Sequence, residues 1–250
     1  LSTAGMMIED RTRTYTIAME RTVVPENFSF RMTDEEYRVL EKIKNSIPVC
    51  YLADHADFAL GIVTGNNKKF LSAEKTENSE MVLKGTDICK YHINPVKQYL
   101  RFEPEQFQQV APLEIYRAPE KLLYRFISNQ LVVAYDDRQM LSLNSCNIVI
   151  PKIDGMQIKY ILAILNSSVS QFVYQKEFHS IKVLRAHMEH IPIPRVGKAI
   201  QNEIIAMTEP LICGMGKEAA ETCQKRLDCR IMDLFRLSAE EQWIIRHALH

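Results

Sequence analysis

The stretch Leu122-Leu-Tyr-Arg-Phe-Ile-Ser-Asn-Gln-Leu-Val-Val-Ala-Tyr135 decides the fold class. Two apolar runs, Leu122 to Ile127 and Leu131 to Tyr135, flank the polar triplet Ser128-Asn-Gln130, which is the pattern of two strands joined by a hairpin loop. A third strand is predicted at Cys146 to Ile150, and apolar residues then recur at helical spacing from Ile158 to Val173. Strands followed by helices predict an α+β fold with a small twisted sheet and flanking helices.

Helical segments are predicted on both sides of this region. Thr33 and Glu36 have the spacing of a capping box, and Pro48 ends the helix that they begin. Beyond Arg195 the apolar pattern is helical to the end of the chain, with a restart at Ser238. The sequence therefore predicts a lead-in from a missing upstream domain over 1–32, a mixed domain over 33–196 and a C-terminal helical segment over 197–250.

The composition restricts the class of protein. Hydrophobic residues make up 46% and charged residues 25% of the 250 residues, which is typical of a folded globular chain. Lys+Arg 31 balance Asp+Glu 31, so any binding of nucleic acid must depend on a local basic patch. No apolar run approaches the roughly 20 residues of a membrane span, and no signal peptide is seen. The scattered cysteines predict a cytoplasmic protein, with Cys223 and Cys229 in its core.

The common catalytic motifs are missing from the sequence. It has no Gly-x-Ser-x-Gly elbow, no phosphate-binding Gly-x-x-x-x-Gly-Lys-Ser/Thr and no His-Glu-x-x-His. Asp136 and Asp137 are adjacent, and we interpret them as a solvated pair in a turn; a metal-dependent nuclease built around them is the alternative. His187 and His190 lie one helical turn apart without further zinc ligands at suitable spacing, which favours surface histidines. Neither a catalytic nor a metal-binding residue is predicted.

Basic and amide side chains are concentrated in the loops. Between Leu60 and Arg101 there are seven basic residues and four acidic ones, together with Gly and Asn. Lys and Arg neutralise phosphates or read guanine, and Asn and Gln pair with adenine. Glycine turns let backbone amides approach a phosphate. A second basic group flanks the hairpin and consists of Arg117, Lys121, Arg125 and Arg138.

Four segments in this order resemble a known family. They are Gly61-Ile-Val-Thr-Gly-Asn-Asn-Lys-Lys-Phe70, Leu83-Lys-Gly-Thr-Asp-Ile-Cys-Lys-Tyr91, Pro119-Glu-Lys-Leu-Leu-Tyr-Arg125, and Tyr160-Ile-Leu-Ala-Ile-Leu-Asn-Ser167 with His190-Ile-Pro-Ile-Pro194. Together they resemble the TaqI-like C-terminal specificity domain of adenine-N6 DNA methyltransferases in restriction-modification systems, including fused type IIG restriction enzymes. They are also similar to the recognition domains of type I specificity subunits. Ala118-Pro-Glu120 departs from the usual Lys-Pro-Lys of the family.

The resemblance covers roughly residues 48–196, and it implies that the domain over 33–196 recognises a target sequence in double-stranded DNA. It also implies that S-adenosylmethionine and the catalytic Pro-Pro motif belong to a methyltransferase domain or subunit outside this chain, which itself holds no cofactor. The alternative is a fragment of a type I specificity subunit, in which the C-terminal helices contact partner subunits. The residues predicted to contact phosphates are Lys68, Lys69, Lys84, Lys90 and Arg125, and those predicted to read bases or line the recognition loop are Thr64, Gly65, Asn66, Asn67, Arg138 and Asn144.

Overall fold

The computed structural model describes residues 5–9, 14–18, 32–178 and 180–249, and it confirms the predicted α+β class. The helices are α1 (Asp34–Asn45), α2 (Asn67–Phe70), α3 (Leu113–Tyr116), α4 (Ile158–Asn166), α5 (Ser168–Glu177), α6 (Arg185–Glu189), α7 (Lys198–Ile212), α8 (Lys217–Leu234) and α9 (Ala239–Ala248). The strands are β1 (Gly5–Glu9), β2 (Thr14–Ala18), β3 (Val49–Cys50), β4 (Ala56–Ala59), β5 (Leu71–Ser72), β6 (Ser79–Leu83), β7 (Tyr99–Arg101), β8 (Lys121–Arg125), β9 (Val133–Asp136), β10 (Leu141–Ser142), β11 (Cys146–Pro151) and β12 (Ile193–Pro194).

The predicted hairpin supplies two neighbouring strands, β8 and β9, of the main sheet, which has the order β4-β11-β8-β9. All its neighbouring strands are antiparallel, and Leu123 of β8 lies opposite Ala134 of β9. The first strand ends at Arg125, two residues earlier than predicted. It ends there because the chain beyond it pairs with a distant segment: Val183 N donates to Phe126 O at 2.8 Å, and Ser128 N donates to Ile181 O at 3.0 Å.

A second small sheet has the order β10-β6-β7-β5 and packs beside the first. Apolar residues of the two sheets meet in one buried cluster, which includes Val82, Leu100, Leu123, Leu141 and Ile148. The main sheet therefore contributes one face to this cluster and its other face to the larger core beneath the helices.

The larger core contains the helical stripe predicted from the sequence. The stripe is divided into α4 and α5, because Ser167 adopts an extended conformation and its side chain caps α5 by accepting a bond from Ser170 N. Asn166, at the break, is buried and bonds both the N–H and the C=O of Val133. Asn166 thus joins the helices to β9.

The C-terminal helices pack on the same core. Ile204 and Leu211 of α7, Ile231 of α8 and Ile245 of α9 are buried there. Lys42 of α1 also donates to Glu241 of α9 at 2.6 Å. The predicted boundary after residue 196 therefore separates sequence patterns that share one hydrophobic core, and the division into domains stays a prediction.

Several local predictions can be compared directly with the structure. The capping box of α1 is present with both of its hydrogen bonds, as is a second one between Ser238 and Glu241 at the start of α9. Cys229 is exposed, so its prediction as a core residue was wrong, whereas Cys223 is partly buried. Most of the predicted lead-in over 1–32 lies outside the described residues, apart from the backbone pairing of β1 with β2. Within the described residues, no helix is long and apolar enough to cross a membrane.

Candidate functional site

Three loop segments that are distant in sequence run side by side at one edge of the sheets. Ile62 N donates to Ser142 O at 2.7 Å, and Asn144 N donates to Ile62 O at 3.1 Å. On the other side of the same turn, Leu143 N donates to Leu83 O at 2.7 Å. The segment 142–145 is therefore held between the segments 61–63 and 83–85. The turn Thr64 to Lys69 directly follows the first of these segments. We call its side chains, together with those of Lys84 and Asn144, the loop edge.

Two glycines make this close packing possible. A Cβ atom on Gly61 would lie 2.1 Å from the carbonyl oxygen of Leu143, and one on Gly85 would lie 2.5 Å from the carbonyl oxygen of Ser145. Both distances are far below van der Waals contact, so only glycine lets the backbones approach this closely. Gly61 N also donates to Oδ1 of the buried Asn147 at 3.2 Å, which fixes the backbone that leads into the turn Thr64 to Lys69.

The turn Thr64 to Lys69 is held by its own polar side chains. Thr64 is buried, and its hydroxyl donates to Asn67 Oδ1 at 2.7 Å. Asn66 Oδ1 accepts a bond from Lys69 N at 3.3 Å and so caps the one-turn helix α2. Both asparagines use their oxygens inside the loop, and their side-chain NH₂ groups are left on exposed residues. Thr64 and Gly65, which has a φ of 75°, therefore shape the loop.

The lysines of the loop edge differ in how they are held. Lys69 Nζ donates to Gln106 at 2.6 Å and lies 4.7 Å from the centre of the Phe70 ring. Lys68 and Lys84 are exposed, and within the described residues no acceptor bonds either ammonium group. These two cations are therefore the most available for an external anion on this edge.

Arg125 lies beside the loop edge, but its guanidinium is bound within the protein. Its Nε donates to Gly85 O at 2.8 Å and its Nη2 donates to Ile88 O at 2.6 Å. These bonds hold the 3₁₀ turn Gly85–Asp87 that follows Lys84. Arg125 is predicted from the sequence to contact phosphate, and the structure gives it a positioning role.

Lys90 is directed away from the loop edge. Its Nζ donates to Asn166 O at 3.1 Å, at the break between α4 and α5. Burial lowers the pKa of Lys90, and nearby Asp228 of α8 partly opposes that effect. The ammonium of Lys90 is therefore bound within the protein and is not one of the available cations of the loop edge.

Arg138 is separated from the loop edge by the length of β8. It follows Asp136, which pairs with Lys121 at the start of β8, whereas the loop edge adjoins Arg125 at its end. Asp136 is fully buried and lies 2.5 Å from the equally buried Lys121, so the prediction of a solvated aspartate pair was wrong for Asp136. Its carboxylate also accepts bonds from Arg138 N and Met140 N, each at 2.9 Å. The buried ion pair therefore shapes the exposed turn that carries Arg138.

Of the two histidines predicted at the surface, one is exposed and the other is half-buried. His190 is exposed, whereas His187 is half-buried and its ring stacks on Phe178 at 4.5 Å between centroids. Burial lowers the pKa of His187. Among the residues that the structure describes, no three His, Cys, Asp or Glu side chains are grouped as metal ligands.

Sequence reasoning missed the residues whose partners lie far away in the chain. Asn147 appears in the sequence as an ordinary strand residue, and Arg125 is predicted there as a phosphate contact. Only the structure shows that both hold the segments of the loop edge. The pairing of 126–128 with 181–183 also had no signal in the sequence, because neither segment has a turn motif that links it to the other. A lysine next to an apolar strand, as at Lys121, is a signal in the sequence for a buried and paired charge.

Together, the two small sheets, the loop edge and the packed helices define an α+β domain that presents polar and cationic loops on one side. The family of TaqI-like C-terminal specificity domains matches residues 80–193. This match confirms the resemblance that the motifs in the sequence predicted. No curated protein sequence matches the chain.

Solved structures from restriction-modification systems are similar to the chain. The type IIL enzyme MmeI in complex with DNA matches with a TM-score of 0.51 and 12% identity, over 80% of this chain and 35% of its own. The type IIG endonuclease BpuSI matches with a TM-score of 0.49 and 13% identity, over 95% and 35%. The HsdS subunit from Thermoanaerobacter tengcongensis matches with a TM-score of 0.42 and 15% identity, over 86% and 50%. The likeness to MmeI shows a shared fold, and the chain spans half or less of the length of these three proteins.

Proposed function

We propose that this chain recognises a short target sequence in double-stranded DNA for a restriction-modification methyltransferase or a fused type IIG restriction enzyme. The observation that carries the proposal is that a specificity-domain family matches residues 80–193, within which Lys84 and Asn144 meet the loop Thr64 to Lys69 at one edge. Separate loops that converge on one edge are suited to following one face of a duplex.

The chemistry of the loop edge divides between backbone and base contacts. Lys68, Lys84 and Lys69 supply cations for phosphates, and they account for the salt-dependent part of the affinity. The amide groups of Asn66, Asn67 and Asn144 supply the donors and acceptors that distinguish base edges. Arg125 acts indirectly, because its guanidinium holds the turn that follows Lys84 and does not itself contact DNA in this proposal.

Arg138 is a second, separate contact in this proposal. It lies on an exposed turn at the other end of β8, about 13 Å along a strand of five residues. A specific DNA interface buries on the order of 1,000 Å² or more of protein surface, so one duplex can reach both ends of the strand.

Methyl transfer itself is assigned to another domain or subunit. In this proposal that partner binds S-adenosylmethionine and carries the catalytic Pro-Pro motif. The present chain positions the partner on its DNA target, and both act in the cytoplasm. The alternative, a fragment of a type I specificity subunit, differs only in the partner. Sequencing the coding region upstream of Leu1 separates the two, because a Pro-Pro-Tyr type motif in the same reading frame supports the fused enzyme.

A binding experiment tests the proposal. A labelled duplex selected from a random library is titrated with the 250-residue chain by fluorescence anisotropy, at several salt concentrations. Each lysine that contacts a phosphate contributes about 0.9 to the slope of log affinity against log salt. Lys68→Ala and Lys84→Ala should each reduce the slope by about that amount. Lys225→Ala, an exposed lysine of α8, is the matched control and should leave it unchanged.

The experiment can also contradict the proposal. If no duplex binds at low salt, or if binding does not depend on salt, DNA recognition by this chain is wrong. If Lys225→Ala reduces the slope as much as Lys84→Ala does, the loop edge is the wrong surface.

A further inference from the structure

A second surface feature lies next to the loop edge and is not explained by it. Residues 126–128 and 181–183 form a short antiparallel ribbon, in which Ile127 pairs with Lys182. Ile127 is 62% exposed and Ile181 is 71% exposed, the two highest values among the large hydrophobic residues that the structure describes. Apolar side chains this exposed, at neighbouring positions, indicate a surface that is covered in function.

The two isoleucines lie on opposite faces of the ribbon. Ile127 shares a face with its partner Lys182, and side chains alternate along a strand, so Ile181 projects from the other face. A flat protein surface would cover one face and leave the other in water. A groove into which the ribbon inserts edge-on would cover both faces of the ribbon.

The surroundings of the ribbon favour a polyanion. The ribbon strands and the residues that adjoin them, 123–131 and 180–188, contain no Asp or Glu. Lys182 and Arg185 are exposed there, although Arg185 is paired with Glu189 at 2.7 Å. The carboxylate of Asp87, in the adjoining loop, is used within the protein, because its Oδ2 accepts a hydrogen bond from Lys84 N at 2.9 Å. An acidic protein partner or DNA fits this charge, and a basic surface does not.

The ribbon is continuous with the loop edge. Phe126 N donates to Ser145 O at 3.0 Å, and Ser145 follows Asn144. Ile127 is therefore within about two residues, or roughly 7 Å along a strand, of the point where Asn144 and Lys84 meet. A duplex bound to Lys84 and Asn144 reaches the ribbon without a change in the fold.

We infer that the ribbon enters the major groove of the bound DNA and that Ile127 and Ile181 contact thymine methyl groups there. This inference rests on the proposed function and adds specificity-determining residues to it. The major groove, about 12 Å wide, admits a two-stranded β-ribbon, and the thymine methyl is the apolar group that a base pair presents in it. The target sequence should accordingly contain A·T pairs at the positions that the ribbon reaches.

The test combines substitutions in the protein with substitutions in the DNA. A duplex selected by the wild-type chain is prepared with each thymine replaced in turn by uracil, which removes only the methyl group. Loss of one buried methyl contact should weaken wild-type binding about fourfold at the contacted positions. Ile127→Ser and Ile181→Ser should each weaken binding to the thymine duplex by a similar factor and should remove the effect of uracil at one position.

Controls separate this inference from folding and from the proposed function. Leu113→Ser alters another apolar residue, 47% exposed on α3, and should leave both the affinity and the uracil effect unchanged. Ile127→Val should retain most of the coupling to uracil, and unfolding curves show whether the serine variants fold. If the wild type binds DNA and uracil has the same effect on it as on both serine variants, the ribbon inference is wrong and the proposed function stands. If the wild type binds no duplex, both are wrong.

Discussion

The buried pair Lys121–Asp136 leads to a quantitative prediction for Asp136→Ala. Lys121 Nζ and Asp136 Oδ2 lie 2.5 Å apart, and both side chains are 0% exposed. After the substitution the ammonium group keeps one acceptor, the carbonyl of Tyr116 at 2.6 Å. Removing one partner of a buried ion pair lowers the free energy of unfolding by about 3–5 kcal/mol, because the other charge stays buried without compensation.

The opposite substitution should be milder. In Lys121→Met, Asp136 keeps its hydrogen bonds from Arg138 N and Met140 N, so the loss should be about 1–3 kcal/mol. Urea unfolding at pH 7, followed by circular dichroism, measures both values. The surface pair Lys152–Asp57, with side chains 59% and 40% exposed at a similar 2.6 Å, provides the matched control. Asp57→Ala should change stability by about 1 kcal/mol or less.

The stability of Asp136→Ala should also depend on pH. Burial lowers the pKa of Lys121, and Asp136 opposes this effect, so removing the carboxylate lowers the pKa further. A lysine whose pKa is lower in the folded state than in the unfolded one loses stability as the pH falls. As the pH rises toward 10.5, the ordinary pKa of lysine, Asp136→Ala should therefore gain stability relative to the double variant Lys121→Met/Asp136→Ala. A loss at Asp136 no larger than that at Asp57, with no difference in pH dependence, would refute the reasoning.

Three further substitutions test other parts of the structure. Gly61→Ala should destabilise the chain by about 1–3 kcal/mol, because the new Cβ would lie 2.1 Å from the carbonyl oxygen of Leu143. Thermal unfolding measures this loss. The control Gly197→Ala, whose Cβ would have no atom within 4 Å, should lower stability by about 1 kcal/mol or less. Since burial lowers the pKa of His187, wild-type stability should fall as the pH drops below about 6.5, and His187→Phe should flatten that part of the unfolding profile. Asp228→Ala removes the bonds to the N–H and hydroxyl of Ser168, at 2.9 and 2.8 Å, and should reduce the free energy of unfolding in urea by about 1–3 kcal/mol.

Each of these predictions has an outcome that contradicts it. Equal effects of alanine at Gly61 and Gly197 would mean that the backbones at the loop edge can separate without penalty. A profile between pH 5.5 and 7.5 that is the same with and without His187 would place the titrating group elsewhere. If Asp228→Ala is as stable as the wild type, water replaces the carboxylate at the start of α5.

Much of the fold follows from local sequence. The capping boxes at Thr33 and Ser238, the hairpin around Ser128-Asn-Gln130 and the helical stripe from Ile158 were predicted because their signals span a few residues. The likeness of the loop sequences to a specificity family was also visible in the sequence, and the family match over 80–193 confirms it. Local hydrogen-bonding and hydrophobic periodicity fix these features before distant segments meet.

The roles of the cations were decided by the tertiary structure. In the sequence, Lys84, Lys90, Lys121 and Arg125 are four similar basic residues near loops and strands. In the fold, only Lys84 is exposed without an acceptor in the described residues, while the others bind Asn166, Asp136 or backbone carbonyls. Whether a long cationic side chain faces water or the interior depends on the acceptors that distant segments bring within about 3 Å of it, and those distances exist only once the chain has folded.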